Sequence, residues 1–248
     1  MLDLSQTELG FEIEFGSDLK HHEVIESISG IFDEKWMSPY QRRLKRNKRK
    51  QKDYFSLARD MSIVPLYIDY IEYELITPVW KFEDSIPNLF KIFEFMDDIY
   101  AEVNETTGLH VNIGFIEPKI FNELKVVILC DEDKWLKKFK RENNDFCTSH
   151  IKSLSKYFRD FKVEEFEEYK KMLEYNLNTL ERRMAINFNH SNYVEFRMIG
   201  NSDYHKKLNL VEESIRHFCW SLVMGANDDD SLLMEKLKED YKSTACVS

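Results

Sequence analysis

Strict alternation is the first pattern along this chain. In ELGFEIEF, residues 8–15, Leu9, Phe11, Ile13 and Phe15 fall on one face and Glu8, Gly10, Glu12 and Glu14 on the other, the period of a half-buried strand. GLHVNIG, 108–114, repeats it, with Leu109, Val111 and Ile113 opposite His110 and Asn112. MAINFNH (184–190) and YVEFRMI (193–199) read as two short strands joined by the turn-prone His190-Ser191-Asn192. Residues 62–78 carry two more strand-like runs, the second being DYIEYELITP. Elsewhere the apolar period becomes helical and predicts helices over 21–34, 85–104, 118–140, 149–160, 164–184 and 208–224. Ser85 is placed to cap the second of these, with Pro87 in its first turn. From Asn227 onward the chain reads as a polar tail with a short helix. With no internal repeat and no low-complexity linker, the pattern predicts one α+β domain over 1–226 and a polar tail over 227–248.

Composition narrows the class. Of 248 residues 43% are hydrophobic and 14% aromatic, enough to build a core and too many for a disordered chain. A net charge of −10 argues against a generally basic protein that coats nucleic acid. Charge interrupts every apolar run well before a membrane-spanning length, and the acidic start MLDLSQTELGFEIEF does not read as a leader. Cys130, Cys147, Cys219 and Cys246 are scattered, as expected of reduced thiols in the cytoplasm. Neither common glycine-rich nucleotide loop is present, so a nucleotide would have to be held by another device. QRRLKRNKRKQK, 41–52, holds eight positive charges, and taking them from −10 leaves −18 on the remainder. This basic insertion reads first as a solvated loop. The functional alternative is an arm for an anionic partner such as nucleic acid or a phosphorylated substrate.

The polar faces of the strands carry the chemistry. Glu12/Glu14, Glu72/Glu74, His110/Asn112 and Glu195/Arg197 are each spaced by two, so both members share a face roughly 7 Å apart. If these strands share one sheet, the pairs line one surface, and four or more facing carboxylates repel unless cations neutralise them. Oxygen ligands with an occasional imidazole suit Mg²⁺ or Mn²⁺, and the arginine offers a planar donor for phosphate or carboxylate.

The order of these elements resembles a family. It runs G-x-E-x-E (Gly10, Glu12, Glu14), then Asp60 and Ser62, E-L-I-T-P (Glu74–Pro78) and G-L-H-V-N-I-G. R-x-A-x-N (Arg183, Ala185, Asn187) and V-E-F-R (194–197) follow. This looks like the amidoligases of the carboxylate–amine ligase superfamily, which includes glutamine synthetase and glutamate–cysteine ligase. The likeness spans about Glu8 to Gly200 and extends into the 208–224 helix. RENNDFC, from Arg141 to Cys147, matches a shorter element of the same family. Met61, where glycine is usual, and the basic insertion depart from the pattern.

The resemblance implies a curved, mostly antiparallel, glutamine synthetase-like sheet with flanking helices, holding ATP and two or three divalent ions. It implies that Glu12, His110 and Glu195 hold one metal at the outer phosphates. Glu14 and Glu74 would hold a second near the acceptor carboxylate, and Arg197 would meet the transferring phosphate. Asn112, Asn187, Arg183 and Arg197 would complete the nucleotide contacts. The implied reaction joins a carboxylate, such as a glutamyl side chain, to an amine through an acyl phosphate. No nucleophilic cysteine is needed, so Cys147 reads as structural or substrate-adjacent, and Glu72 or Asp69 are general-base candidates by position. Two alternatives stand beside it: a binding module on the same fold without turnover, and a metal-dependent hydrolase using the same acidic face.

Overall fold

In the computed structural model, residues 3–38, 53–145, 147–153, 166–177 and 184–245 are described. The basic insertion at 41–52 and Arg183 lie outside them. In chain order the elements are β1 (Thr7–Ser17), α1 (His21–Ile31), β2 (Lys35–Trp36), β3 (Tyr54–Arg59), β4 (Ile71–Ile76) and β5 (Trp80–Lys81). Then come α2 (Phe82–Asp98), β6 (Gly108–Phe115), α3 (Glu123–Cys130), α4 (Glu132–Lys138), α5 (Phe166–Leu177) and β7 (Ile186–Asn187). β8 (Val194–Gly200), α6 (Leu208–Gly225) and α7 (Ser231–Ala245) follow.

The strands form one sheet in the order β2-β3-β4-β1-β6-β8-β7, with β5 paired to the start of β1. Among the described strands only the β2–β3 pair is parallel, so the fold is α+β with a mostly antiparallel sheet. β1 sits in the middle because its apolar face is complete: Leu9, Phe11, Ile13 and Phe15 are all fully buried. Tyr73 and Leu75 of β4, Leu109, Val111 and Ile113 of β6, and Val194, Phe196 and Met198 of β8 continue that face. Side chains of α1, α2 and α6 pack into the same core, and Phe196 stacks on Phe218 with ring centres 4.9 Å apart. With one face given to helices, the alternation leaves every other strand residue on the opposite, polar face.

Several boundaries differ from the sequence expectation. The first strand-like run of 62–78 is a loop, and the strand lies earlier, at β3. The loop backbone is held by side chains: Val64 N donates to Thr106 Oγ1 at 3.0 Å and Leu66 N to Glu102 Oε1 at 2.7 Å. α2 begins at Phe82, which packs into the core, so Ser85 is no cap; its hydroxyl donates back to Phe82 O at 2.8 Å. The helix expected over 118–140 is two, broken where Asp131 takes a left-handed φ of 54°. α1 stops at Ile31.

The segment read as a polar tail contains the fifteen-residue helix α7. Its Leu233 and Leu237 are fully buried against Leu124 and Ile128 of α3 and Tyr169 and Leu173 of α5, a second apolar cluster. Lys125, itself fully buried, fastens the approach to α7. Its ammonium donates to Asn227 O at 2.8 Å, Asp229 O at 2.7 Å and Asp230 Oδ1 at 3.0 Å.

Lys125→Met keeps the aliphatic stem and removes all three donations. Losing these part-buried, charge-assisted hydrogen bonds should then cost about 1–3 kcal/mol of stability in urea unfolding. Amides of α7 should lose hydrogen-exchange protection before those of β1 and β6.

Candidate active site

The register of the sheet brings the polar pairs together. Glu14 lies directly opposite Glu74, and Glu12 directly opposite His110. Asn112 faces Glu195, which faces Asn187 on its other side. Between Leu109/Ile199 and Val111/Phe196 the β6–β8 register slips, so Arg197 and Met198 together oppose His110. Such a bulge re-aims side chains. Met198 is fully buried in the core, while the Arg197 guanidinium turns to the polar face, with Nη2 3.5 Å from His110 Nε2 and Nε 3.5 Å from Glu195 Oε1.

His110 is the hub. Its Nδ1 lies 3.3 Å from Glu12 Oε2 and 3.1 Å from Glu195 Oε1, and its Nε2 lies 3.5 Å from Glu14 Oε1. Asn112 Nδ2 donates to Glu12 Oε1 at 2.9 Å and Asn187 Nδ2 to Glu195 Oε2 at 2.7 Å, so both amides orient carboxylates. Glu12, His110 and Glu195 thus form one group whose ligand atoms lie within 4.8 Å of one another. Glu14, Asp60 and Glu74 form a second group within the same limit. Asp60 is positioned by its own turn, accepting from Ser62 N at 2.9 Å and Ser62 Oγ at 2.8 Å. Met61 between them is 81% exposed and takes no part in holding the carboxylate.

Electrostatics follow from crowding in a poorly hydrated place. Burial alone would push the His110 imidazole down, but the Glu14, Glu12 and Glu195 carboxylates outweigh it and lift it to about 10. Burial likewise opposes ionisation of Glu12 and Glu195. For both, hydrogen bonding to His110 wins and holds the carboxyl below its usual range. Glu14 is raised, chiefly by burial. Glu74 is raised to about 7 by burial and then by the Glu12 charge.

Three further residues join the site from turns. Arg141 is buried, 5% exposed, and its Nη1 donates to Ile199 O at 2.7 Å. Its charge acts on Glu14 in the opposite direction to burial. A Cβ on Gly108 would come within 2.7 Å of that Nη1, and one on Gly200 would overlap the guanidinium, so both glycines are required by its passage. His190 Nε2 sits 3.2 Å from Glu195 Oε2. Asp60 is the third. The sequence shows Asp60 and Arg141 only as motif letters and His190 only as part of a turn, because none lies on a periodic element. Glu72 is held by Arg59, whose Nη2 donates to it at 2.6 Å and keeps its carboxyl below the usual range; Asp69 is exposed in the 62–70 loop. Cys147 is buried, donates to Arg197 O at 3.1 Å, and burial pushes its thiol up to about 12, which leaves no thiolate nucleophile.

The raised Glu74 carboxyl gives a signed prediction for metal-free protein. Between about 4.5, its ordinary value, and about 7, the folded state keeps a proton that the unfolded state has released. Stability should therefore fall as pH rises through that window. Glu74→Gln should remove this part of the slope and, in chelator at pH 8, melt higher than wild type by of the order of 1–2 kcal/mol after solvent screening. Equal slopes in the two proteins would show that Glu74 does not share the carboxylate cluster's proton.

Residues 5–214 match a family model described as "putative amidoligase enzyme". No curated protein matches the chain.

Proposed function

Because the chain belongs to the amidoligase family, we propose that it is an ATP-dependent carboxylate–amine ligase using Mg²⁺ or Mn²⁺. In this reading ATP phosphorylates a substrate carboxylate, such as a glutamyl side chain, and an amine displaces phosphate, giving an amide, ADP and phosphate. The observation that carries it is the pair of three-residue groups, Glu12/His110/Glu195 and Glu14/Asp60/Glu74, side by side on one polar face. A buried free thiol at each of Cys130, Cys147 and Cys219 suits a reducing cytoplasm. No helix among the described residues is long and apolar enough to cross a membrane.

The donor set fits divalent ions that prefer oxygen. Five carboxylates face three cationic groups, His110, Arg197 and Arg141, so negative charge is left over. Asn112 Oδ1 is buried with no partner among the described residues, an acceptor open toward a cation or its water. Bound ions would neutralise charge on the phosphates and the carboxylate. Asn112 and Asn187 hold Glu12 and Glu195 in orientation, as partners behind ligands do. Arg197, aimed at the same space by the bulge, would bind the equatorial oxygens of the moving phosphoryl group. That task suits a planar fork better than a point charge.

Hydroxylamine trapping tests the reading. An acyl phosphate yields a hydroxamate only when ATP and the right carboxylate are present, and ADP release should track it. Product without ATP would assign the face to hydrolysis, and no turnover with any carboxylate to a binding module. Arg197→Lys should lower kcat about 10²–10³-fold with little change in divalent-metal affinity. Full activity would assign the arginine to its ion pair with Glu195.

A further inference from the structure

The loop between β3 and β4 borders the second carboxylate group. Asp60, a member of that group, is its first residue, and Ile63 N donates back to Asp60 O at 3.2 Å. Farther along, the loop lies over the sheet. A Cβ on Gly16 would meet Tyr70 Cδ2 at 3.5 Å and Pro65 Cβ at 3.7 Å, and Gly16 shares the polar face of β1 with Glu12 and Glu14. The loop thus walls the polar face at the end of β1, where Gly16 lies opposite Glu72 and Glu14 opposite Glu74. What this wall shows to solvent is apolar: Met61, Val64, Leu66 and Tyr67 are exposed, and Ile68 is 98% exposed. Looseness does not account for it. Ile63 is buried, Val64 N donates to Thr106 Oγ1, and Val64 O accepts from Asn104 Nδ2, the last two each at 3.0 Å. Leu66 N is held by Glu102, and the Tyr67 and Tyr70 rings pack at 5.0 Å.

An apolar run held fixed in water marks a surface that a partner covers. Side chains standing this far out are covered together by another chain, not by a small molecule. Charge narrows the partner. From Asp60 to Glu74 the chain carries Asp60, Asp69, Glu72 and Glu74 and neither lysine nor arginine. A free amino acid would bring an α-carboxylate that this wall repels, and an anionic lipid surface would meet the same repulsion. An aspartyl or glutamyl side chain within a polypeptide hangs from a neutral backbone and can have apolar neighbours. We propose that the 61–68 segment docks a polypeptide whose aspartyl or glutamyl carboxylate, flanked by apolar residues, enters the site for amide formation. The inference rests on the ligase reading, in which the substrate carboxylate reaches these groups and the body that carries it lies against what borders them.

The test is ATP-dependent hydroxamate formation on acetylated, amidated pentapeptides with a central aspartate or glutamate. Flanks are leucine and phenylalanine in one set and serine and glycine in the other, with free glutamate beside them. Expected is a kcat/KM at least about tenfold higher for the apolar-flanked set. Leu66→Ser with Ile68→Ser should raise KM for that set about tenfold with kcat little changed, while Leu66→Met with Ile68→Met keeps the wild-type KM. The rise in Tm on adding Mg²⁺ should match wild type in both variants. A changed Mg²⁺ response overturns the proposal, since the loop would then act through Asp60. Equal turnover of polar-flanked peptides or free glutamate, or a KM that ignores the serine variant, overturns it and leaves the ligase reading standing. Self-association in sedimentation, or binding to phosphatidylcholine–phosphatidylglycerol vesicles, that the serine variant abolishes without changing peptide KM gives the patch to a second copy or a membrane and overturns it too. If no peptide and no small carboxylate yields hydroxamate with ATP and Mg²⁺, the ligase reading and the docking surface fall together.

Discussion

His110 is 5% exposed, and three carboxylates lie within 3.5 Å of its ring nitrogens. Burial disfavours every charge in this arrangement, so each is tolerable only because an opposite charge is close. Glu12 and Glu195 are held ionised by the imidazolium, and the imidazolium is held protonated by them and Glu14. The balance is incomplete: Glu14 and Glu74, farther from the hub, are pushed toward the protonated form. A divalent ion would compete with those protons directly.

The same constraint explains features that look incidental. Arg141 reaches the cluster only through a gap at the ends of β6 and β8, which the side-chain-free Gly108 and Gly200 provide. The β8 bulge lets one strand serve two masters, with Met198 completing the core and Arg197 the polar face. Cys147 donates to the Arg197 carbonyl and so steadies that bulge from behind.

Alternation made β1, β6 and β8 legible, because each of these strands packs one face on helices and turns the other to the site. It also put Glu12, Glu14, Glu74, His110 and Glu195 on the polar faces of their strands, which make one surface only if those strands share a sheet. β3 escaped because Phe55, Ser56 and Leu57 are buried in succession, which erases the period. The 62–68 run misled for the opposite reason: Val64, Leu66 and Ile68 alternate, yet all are exposed and the backbone is pinned by Thr106 and Glu102. Asp60, Arg141 and His190 come from turns, whose side-chain directions depend on tertiary contacts and not on local spacing. α7 read as polar because only Leu233 and Leu237 bury fully, too few to raise a helical stripe above its charged neighbours.

The central position of β1 has a kinetic side. Its first polar group is completed only when Glu195, from the far end of the sequence, arrives beside His110. Closing so long a stretch of chain is slow, and its entropy must be lost before the contacts form. During synthesis the ribosome would release β1, β4 and β6 well before β8, leaving β6 with an unpaired edge and the acidic face half built. A nascent chain at that stage holds Glu14, Asp60 and Glu74 without the His190 turn or Arg197. Synthesis thus delivers the residues of the acidic cluster before those that balance its charge.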